Sequence, residues 1–486
     1  MQQNLFIYNT ISRKKELFKA INSPFVGMYV CGPTVYSDVH LGNCRTFLAF
    51  DLIYRYLQVL GYKVRYIRNI TDAGHLEGDG DEGEDKISKK ALIAKVEPME
   101  IVQTYSNGFH RIMQQFNALP PSIEPTATGH IIEQIELVKT ILRNGYAYTV
   151  NGSVYFDVEK YTLTQNYGIL NNRKLEDMLT NTRDLGGQNE KRGKLDFALW
   201  INAKPQHLMQ WPSPWGMGFP GWHLECSAMS NKYLGEQFDI HGGGIDLSAT
   251  HHTNEIAQNV AVCGKSPANY WVHTNMLTVN GQKMSKSLGN SFLPQELFNG
   301  EHPMLDKGYS PMVVKFFMYQ AHYRSTLDFS NEALNASEKG FKKLMAAYAL
   351  LAKLKASEVN QVDVGGWQSK CYAAMNDDFN SPILIAELFD AVRIINSVND
   401  CTLSIDAQNL HLLKQTLHLF IVDVLGINVD FEGDNSTNQL MDFIVDLRND
   451  AKQNKNFATS DKIRNGLQQL GFEIKDGKDG AVWAKK

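Results

Sequence analysis

The fold is decided by GMYVCGPTVYSDVHLGNCRTFLAFDLIYRYLQVLGYKVRYIRNIT, the stretch from Gly27 to Thr71. Its first residues, Gly27–Val30, predict a short buried strand. Leu41–Leu60 predicts a helix, because its apolar residues fall on one stripe and Gly61 follows as a stop. A second strand is predicted at Lys63–Thr71. This strand–helix–strand order predicts an α/β fold of Rossmann type, with a doubly wound parallel sheet and right-handed crossovers.

Outside this stretch, the α/β pattern returns after a long interruption and then gives way to helices. The predicted later elements are a strand at Phe238–Ile240, a helix at His252–Val262, a strand at Tyr270–Val279, a helix starting at Asn380–Pro382 and a hairpin over Phe472–Trp483. The chain is therefore expected to have an α/β front with an insertion, a helical back and a small α+β end.

Composition indicates an ordinary globular protein. The 486 residues are 43% hydrophobic and 21% charged, and the length favours two to four domains. We see no secretory leader, and no run approaches the roughly 18 apolar residues of a membrane span, so a cytoplasmic protein with reduced cysteines is expected. The net charge is −4, but nine Lys/Arg against five Asp/Glu follow from Arg448 to the end. A local basic face of this kind fits phosphate contacts, although solvated basic tails are common.

A candidate phosphate site lies at HLGN, His40–Asn43, where the first strand gives way to the first helix. Free N–H groups and the positive end of the helix dipole face a ligand at this position. His40 and Asn43 can both donate to phosphate oxygens, and Gly42 allows close approach of a nucleotide. On its own the motif also fits an ordinary helix cap.

A second candidate is KMSKS, Lys283–Ser287, in a loop after a strand. Two lysines in such a loop can neutralise a triphosphate as pyrophosphate leaves. A solvated basic loop is the alternative for this motif alone. The pair HLGN and KMSKS in α/β context resembles the paired signatures of class I aminoacyl-tRNA synthetases.

A third constellation contains metal-ligating residue types. Cys31 closes the first strand, Cys226 lies in PGWHLECSAM, and His251 and Glu255 are four apart on one helix face. Two thiolates, an imidazole and a carboxylate can form a tetrahedral zinc site. Each residue alone also fits an ordinary structural role, as a small buried thiol or a surface charge. The spacing therefore leaves open whether the four residues are metal ligands or structural residues.

The flanking sequences extend the resemblance to one family. They are GMYVCGPTVY (27–36), NITD (69–72), PGWHLECSAM (220–229), FDIHGGGIDL (238–247), HHTNEIAQ (251–258), AHYRSTLDFSNEAL (321–334) and MNDDFNSP (375–382). Together with KMSKS they resemble the cysteinyl-tRNA synthetases over nearly the whole chain.

The resemblance implies a set of site residues. It implies Zn²⁺ held by Cys31, Cys226, His251 and Glu255, with the substrate thiolate as a further ligand. Thr71 and Trp222 are implied in the cysteine pocket. Catalytic roles are implied for His40, Asn43, Lys283 and Lys286. The implied ATP-binding residues, with Mg²⁺ on ATP, are Pro33, Thr34, His40, Gly42, Asn43, Gly243, Asp246, Lys283, Met284, Ser285, Lys286 and Ser287, and the strand end from His241 onward is expected to approach the ribose and adenine.

The implied partners are tRNA(Cys), ATP and L-cysteine, and the chain is expected to act as a monomer without membrane contact. The expected domains are 1–118 and 206–292 for the catalytic halves, 119–205 for a connective insertion, 293–345 for stem contact, 346–435 for anticodon binding and 436–486 for a basic tRNA-binding end.

The chain departs from the family pattern where HLGN replaces the usual HIGH, which puts local ATP geometry in doubt. There are two alternatives, and the sequence speaks against both. A mycothiol-pathway cysteine ligase ends soon after the catalytic core, whereas this chain continues with helices and a basic end. A non-catalytic, zinc-stabilised RNA-binding relative would not need the intact KMSKS and metal ligands.

Overall fold

The computed structural model describes residues 4–76, 83–171, 190–205, 207–284, 289–429, 435–477 and 480–485. The strands are β1 Phe6–Asn9, β2 Lys14–Leu17, β3 Phe25–Val30, β4 Lys63–Arg68, β5 Ala147–Val150, β6 Ser153–Phe156, β7 Phe197–Asn202, β8 Trp211–Ser213, β9 Gly216–Pro220, β10 Phe238–Gly244, β11 Ala268–Thr274, β12 Leu277–Val279, β13 Gln282–Lys283, β14 Leu327–Phe329, β15 Phe472–Gly477 and β16 Gly480–Lys485. The helices are α1 Leu41–Val59, α2 Lys86–Ala94, α3 Pro98–Gln115, α4 Ile131–Arg143, α5 Val158–Thr162, α6 Trp222–Leu234, α7 His251–Cys263, α8 Pro294–Asn299, α9 Pro311–Tyr319, α10 Asn331–Leu351, α11 Val364–Asn376, α12 Ser381–Asn399, α13 Ala407–His418, α14 Asn435–Gln453 and α15 Phe457–Gln469. Within the described ranges, no helix combines the length and apolar character needed to cross a membrane.

The central sheet is parallel, with the strand order β11-β10-β3-β4. Helix α1 connects β3 to β4, and α7 connects β10 to β11, so both halves repeat the same unit. Strand β10 pairs with β3, with Gly242 opposite Val30. Helix α1 packs closely on the sheet there, because a Cβ on Gly242 would lie 2.1 Å from the Phe50 ring. This confirms the predicted α/β, Rossmann-type fold.

Two predicted strand boundaries are wrong. The strand predicted to reach Thr71 ends at Arg68, because the side chain of Asn69 instead accepts a hydrogen bond from the Gly32 amide at 2.9 Å. The strand predicted over Tyr270–Val279 is two strands in different sheets. The chain turns between them at Asn275, whose side-chain oxygen accepts from the Met276 amide at 2.7 Å.

The interruption between the two halves carries its own sheet. It is antiparallel, has the order β5-β6-β7-β9-β8 and runs to Pro220. A hydrophobic cluster that includes Val154, Phe156 and Trp200 packs it against α6 and α7 through Leu224 and Ala257. The insertion is therefore anchored on the helices that carry the second half of the candidate site. The domain bounds expected from the sequence stay a prediction.

A buried ionic group ties α1 to the helical part. The carboxylate of Asp51 accepts from Lys315 at 2.9 Å and from Arg55 at 3.0 Å, and all three side chains are buried. Lys315 also donates to the carbonyl oxygens of Asn117 and Gly426. Burial lowers the pKa of Lys315 to about 8. One carboxylate therefore contacts two cations, Arg55 on α1 and Lys315 on α9, and Lys315 extends the group to Gly426, which follows α13.

The chain divides into two compact units, 1–427 and 428–486. The second unit contains α14, α15 and the antiparallel hairpin β15–β16, as the sequence predicts. Its small core contains Met441, Val445, Leu467 and Ile474.

Candidate active site

The start of α1 orients the HLGN side chains. His40 is the N-cap residue, and its Nδ1 accepts from the Asn43 amide at 3.3 Å. Asn43 returns the contact, since its Oδ1 accepts from the His40 amide at 3.4 Å. The neutral His40 ring therefore carries its proton on Nε2, and the amide nitrogen of Asn43 is the group left to donate to a ligand. The first turn of α1 has no acidic residue, so the helix dipole favours an anion there.

The four predicted metal ligands meet in a buried cluster. Cys31 follows β3, Cys226 lies on α6, and His251 and Glu255 lie on the first turns of α7. One ligand atom from each lies within 4.8 Å of the other three. A second set, which shares Cys31 and Glu255 but contains His241 and His252, meets the same criterion.

The separations in the predicted set fit a four-coordinate metal. The two sulfur atoms are 3.7 Å apart, and Nε2 of His251 lies 3.4 Å from Cys226 Sγ and 3.2 Å from Glu255 Oε1. A tetrahedron with metal–sulfur bonds of ~2.3 Å and metal–nitrogen or metal–oxygen bonds of ~2.0 Å has edges of ~3.8, ~3.5 and ~3.3 Å for these three pairs. The donor chemistry and the spacing therefore both suit a metal ion.

Burial keeps these thiols neutral without a cation. It raises the pKa of Cys31 well above its usual range and the pKa of Cys226 to about 12. A metal ion would reverse this, because it binds the thiolate form and displaces the proton. The two thiols of the cluster would therefore become strong ligands only when a cation displaces their protons.

A layer of histidines surrounds the cluster, and the sequence interpretation assigned it no such role. His223 meets His251, Nδ1 to Nδ1, at 2.9 Å, and His241 meets the second oxygen of Glu255 at 2.8 Å. His252 lies between Cys31 Sγ, at 3.3 Å, and His273, at 2.8 Å. Burial lowers the pKa of His252 well below its usual range, so a neutral ring is favoured. His241 begins the strand end that is expected near the nucleotide; its own ring contacts Glu255, and the expectation for the strand end stays a prediction.

The pocket residues implied by the resemblance take different positions. Trp222 is the first residue of α6, and its ring lies 4.6 Å from that of His251 and stacks on His75. Thr71 is buried, and its hydroxyl donates to the carboxylate of Glu225 at 2.5 Å. Trp222 therefore faces the open pocket, whereas Thr71 supports the floor behind it.

A cavity of about 410 Å³ joins the cluster to the helix start. Its lining includes Cys31, Pro33, Thr34, His40, Asn43, Trp222 and Asp246. An adjoining cavity of about 260 Å³ shares His40, Asn43 and Asp246 and adds Gly42, Lys283 and Met284. Gly243 lines neither; a Cβ there would lie 2.9 Å from the His252 ring, and the next residue, Gly244, lines both. Ser285, Lys286 and Ser287 lie outside the described residues, so their predicted roles stay predictions.

Comparison with known proteins agrees with this arrangement. Residues 17–339 match the model for the class I (C) tRNA synthetase catalytic domain, and residues 370–430 match the DALR domain. The chain is 58% identical to the cysteine–tRNA ligase of Porphyromonas gingivalis and 56% identical to that of Bacteroides thetaiotaomicron, over 99% of each pair of chains. It is 44% identical to the cysteine–tRNA ligase of Chlorobaculum tepidum, again over 99% of both chains.

A solved structure supports the fold alone. Mycobacterium tuberculosis methionyl-tRNA synthetase bound by methionyl-adenylate aligns with a TM-score of 0.58 at 13% identity, covering 82% of this chain and 92% of that one. The identity over the full length of the curated relatives settles the family. The chain belongs to the cysteine–tRNA ligases, within the class I tRNA synthetases.

Proposed function

We propose that this chain activates L-cysteine with ATP and transfers it to the 3′ end of tRNA(Cys), releasing AMP and pyrophosphate. One observation supports this function most directly. Cys31 of the metal cluster lines the same cavity as His40 and Asn43 at the start of α1. A thiol-recognising group and an anion-binding helix end therefore face the same ligand. The proposal includes action as a monomer in the cytoplasm.

The cluster of Cys31, Cys226, His251 and Glu255 would hold Zn²⁺. When bound, this ion supplies a sulfur-seeking Lewis acid that takes a thiolate far better than the hydroxyl of serine. The carboxylate of Glu255 is kept in place from behind by His241. Trp222 supplies an apolar wall beside the short side chain of the amino acid.

In the activation step, the carboxylate of cysteine attacks the α-phosphorus of ATP and pyrophosphate leaves. The Nε2 proton of His40 and the amide of Asn43 donate to the phosphate oxygens as their charge grows. Lys283, which lines the adjoining cavity, neutralises the phosphates of the magnesium complex of ATP. We assign the same role to Lys286, with Ser285 and Ser287 in the same loop, and nucleotide contacts to Pro33, Gly42, Asp246 and Met284.

In the transfer step, a terminal ribose hydroxyl of tRNA attacks the activated carbonyl, and AMP leaves. The proposed tRNA contacts are residues 293–345 for the acceptor stem, 346–435 for the anticodon region and 436–486 for the basic end. The match of residues 370–430 to the DALR domain supports this over the mycothiol-pathway ligase, which would couple the same adenylate to an amino sugar.

Two assays test the function. Cysteine-dependent exchange between ATP and pyrophosphate reports activation, and charging of a tRNA(Cys) transcript reports transfer. Lys286→Ala should reduce exchange by orders of magnitude while cysteine binding persists. Exchange without tRNA charging, in the presence of an amino-sugar acceptor that is consumed, would favour the alternative ligase. The absence of exchange with cysteine would leave only a non-catalytic role.

A further inference from the structure

Two residues of the shared cavity belong to none of the motifs described above. His75 and Lys86 both line the cavity with Cys31, His40 and Trp222. They lie on either side of a glycine- and acid-rich stretch of the sequence. Leu76 pairs with Asp85, and the Lys86 amide donates to the His75 carbonyl at 3.1 Å. The two side chains are therefore held side by side.

Helix α2 fixes the position of Lys86, its first residue. The N-cap residue Asp85 is buried, and its Oδ1 accepts from the amides of Ile87 at 3.0 Å and Ser88 at 2.8 Å. A cap of this kind sets the direction in which the chain enters the helix. This helix start fixes the backbone of Lys86, from which the side chain reaches His75.

Lys86, His75 and Thr34 form a polarised chain of hydrogen bonds. Lys86 Nζ lies 2.7 Å from His75 Nε2, and His75 Nδ1 lies 2.7 Å from Thr34 Oγ1. An ammonium only donates, so Nε2 accepts and the neutral ring carries its proton on Nδ1, which donates to Thr34. The hydroxyl hydrogen of Thr34 is then available to an acceptor in the cavity that Thr34 lines.

These three hydrogen-bonded residues lie on the side of the cavity that contains Trp222 and the metal cluster. The His75 ring stacks on Trp222 with centroids 4.0 Å apart and planes at 11°, and Trp222 in turn contacts the His251 ring. The adjoining cavity, which contains Gly42, Lys283 and Met284, is lined by neither His75 nor Lys86. His75 and Lys86 therefore lie beside Trp222 and away from Lys283, a position that favours the carboxylate of the amino acid over the phosphates near Lys283 as the anion they face.

We propose that Lys86 and Thr34 bind the α-carboxylate of the amino-acid substrate, with His75 as the positioning residue between them. The inference rests on the proposed function, since it takes cysteine as the ligand. A positive charge and a hydroxyl donor hold the carboxylate at a defined place between the metal cluster and the helix start. They also raise the affinity for the intact amino acid over an amine that lacks the carboxylate.

Titration with two ligands tests this subsite. Calorimetry on the full chain would compare L-cysteine with cysteamine, which keeps the thiol and the amine but has no carboxylate. Lys86→Met should weaken L-cysteine binding ~10–100-fold, the range for losing a hydrogen bond to a charged group, and leave cysteamine binding within about twofold. His75→Phe keeps an aromatic ring against Trp222 but removes the hydrogen bonds to Lys86 and Thr34. It should show the same selective loss of affinity for L-cysteine. Lys86→Arg should recover part of the affinity.

Lys90→Met is the matched control, because Lys90 lies on the same helix with its ammonium over the Tyr105 ring, and it does not line the cavity. Both affinities should stay as in the unsubstituted chain. Equal losses for both ligands in Lys86→Met, or an unchanged affinity for L-cysteine, would overturn the proposal. Failure of the proposed function would instead appear in the unsubstituted chain, as a lack of preference for L-cysteine over L-serine in the same titration.

Discussion

Replacing Asn43 by Asp separates the two roles that the structure gives this side chain. Its Oδ1 caps the His40 amide, and its amide nitrogen is the donor assigned to the ATP phosphates. Aspartate has the same shape and keeps an oxygen acceptor for the cap. It replaces the donor by a second oxygen and adds a negative charge where phosphate must bind. We therefore expect Asn43→Asp to fold normally and to activate cysteine poorly.

The magnitudes follow from the contacts. At 3.4 Å the cap bond is long, so its loss in Asn43→Ala should cost only ~0.5 kcal/mol, the low end for helix caps. The first turn of α1 has no acidic residue, and a carboxylate there should gain ~0.3–1 kcal/mol from the helix dipole. Removing one donor to the developing charge should slow activation ~10²–10³-fold, and repulsion by the carboxylate adds to this.

Exchange between ATP and pyrophosphate, with thermal unfolding of the same samples, measures both quantities. Asn43→Asp should lose activation and keep or raise its midpoint, whereas Asn43→Ala should lose activation and become slightly less stable. Exchange by Asn43→Asp within about threefold of the unsubstituted chain would refute the donor role. A clear loss of stability in Asn43→Asp would refute the capping geometry.

Three further perturbations test the metal cluster and the ionic group. Cys226→Ser should lower the zinc content measured by mass spectrometry and reduce the preference for cysteine over serine; full occupancy would contradict the ligand set. His223→Leu removes the partner of His251 and should weaken zinc ~10–100-fold in chelator competition, while an unchanged affinity would rule out that support. Asp51→Asn leaves Lys315 and its arginine neighbour buried without an anion, and should cost ~3–5 kcal/mol in urea unfolding, against no change if the group is dispensable.

The sequence predicts the parts of this molecule that local pattern controls. The first strand–helix–strand unit, the cap at His40 and the terminal hairpin all follow from periodicity and turn residues. The ligand set Cys31, Cys226, His251 and Glu255 follows from residue chemistry together with family resemblance, and the structure brings the four together. These features depend on residue type at short spacing or on motifs long enough to be recognised.

Contacts between distant segments could not be predicted in the same way. His75 and Lys86 flank a glycine- and acid-rich segment whose composition suggests only a loop, and their contact depends on the pairing at its base. His252 is adjacent to a predicted ligand, yet its place between Cys31 and His273 depends on how α7 packs against β11. The chain leaves the strand conformation at Asn275, between β11 and β12. There the Met276 amide donates to the Asn275 side chain rather than to a neighbouring strand.

The order of the strands links amino-acid recognition to the fold itself. Cys31 and Cys226 are 195 positions apart and meet only because β3 pairs with β10 in the parallel sheet. In the unfolded chain the whole insertion separates these ligands, so the unfolded chain should bind a metal ion only weakly. Binding of the proposed metal ion to the assembled cluster would therefore add to the free energy of unfolding of the larger unit. The metal ion that would distinguish sulfur from oxygen would thus also stabilise the pairing of β3 with β10. That same pairing forms the sheet edge at which ATP is proposed to bind, so recognition of cysteine and of ATP would both depend on it.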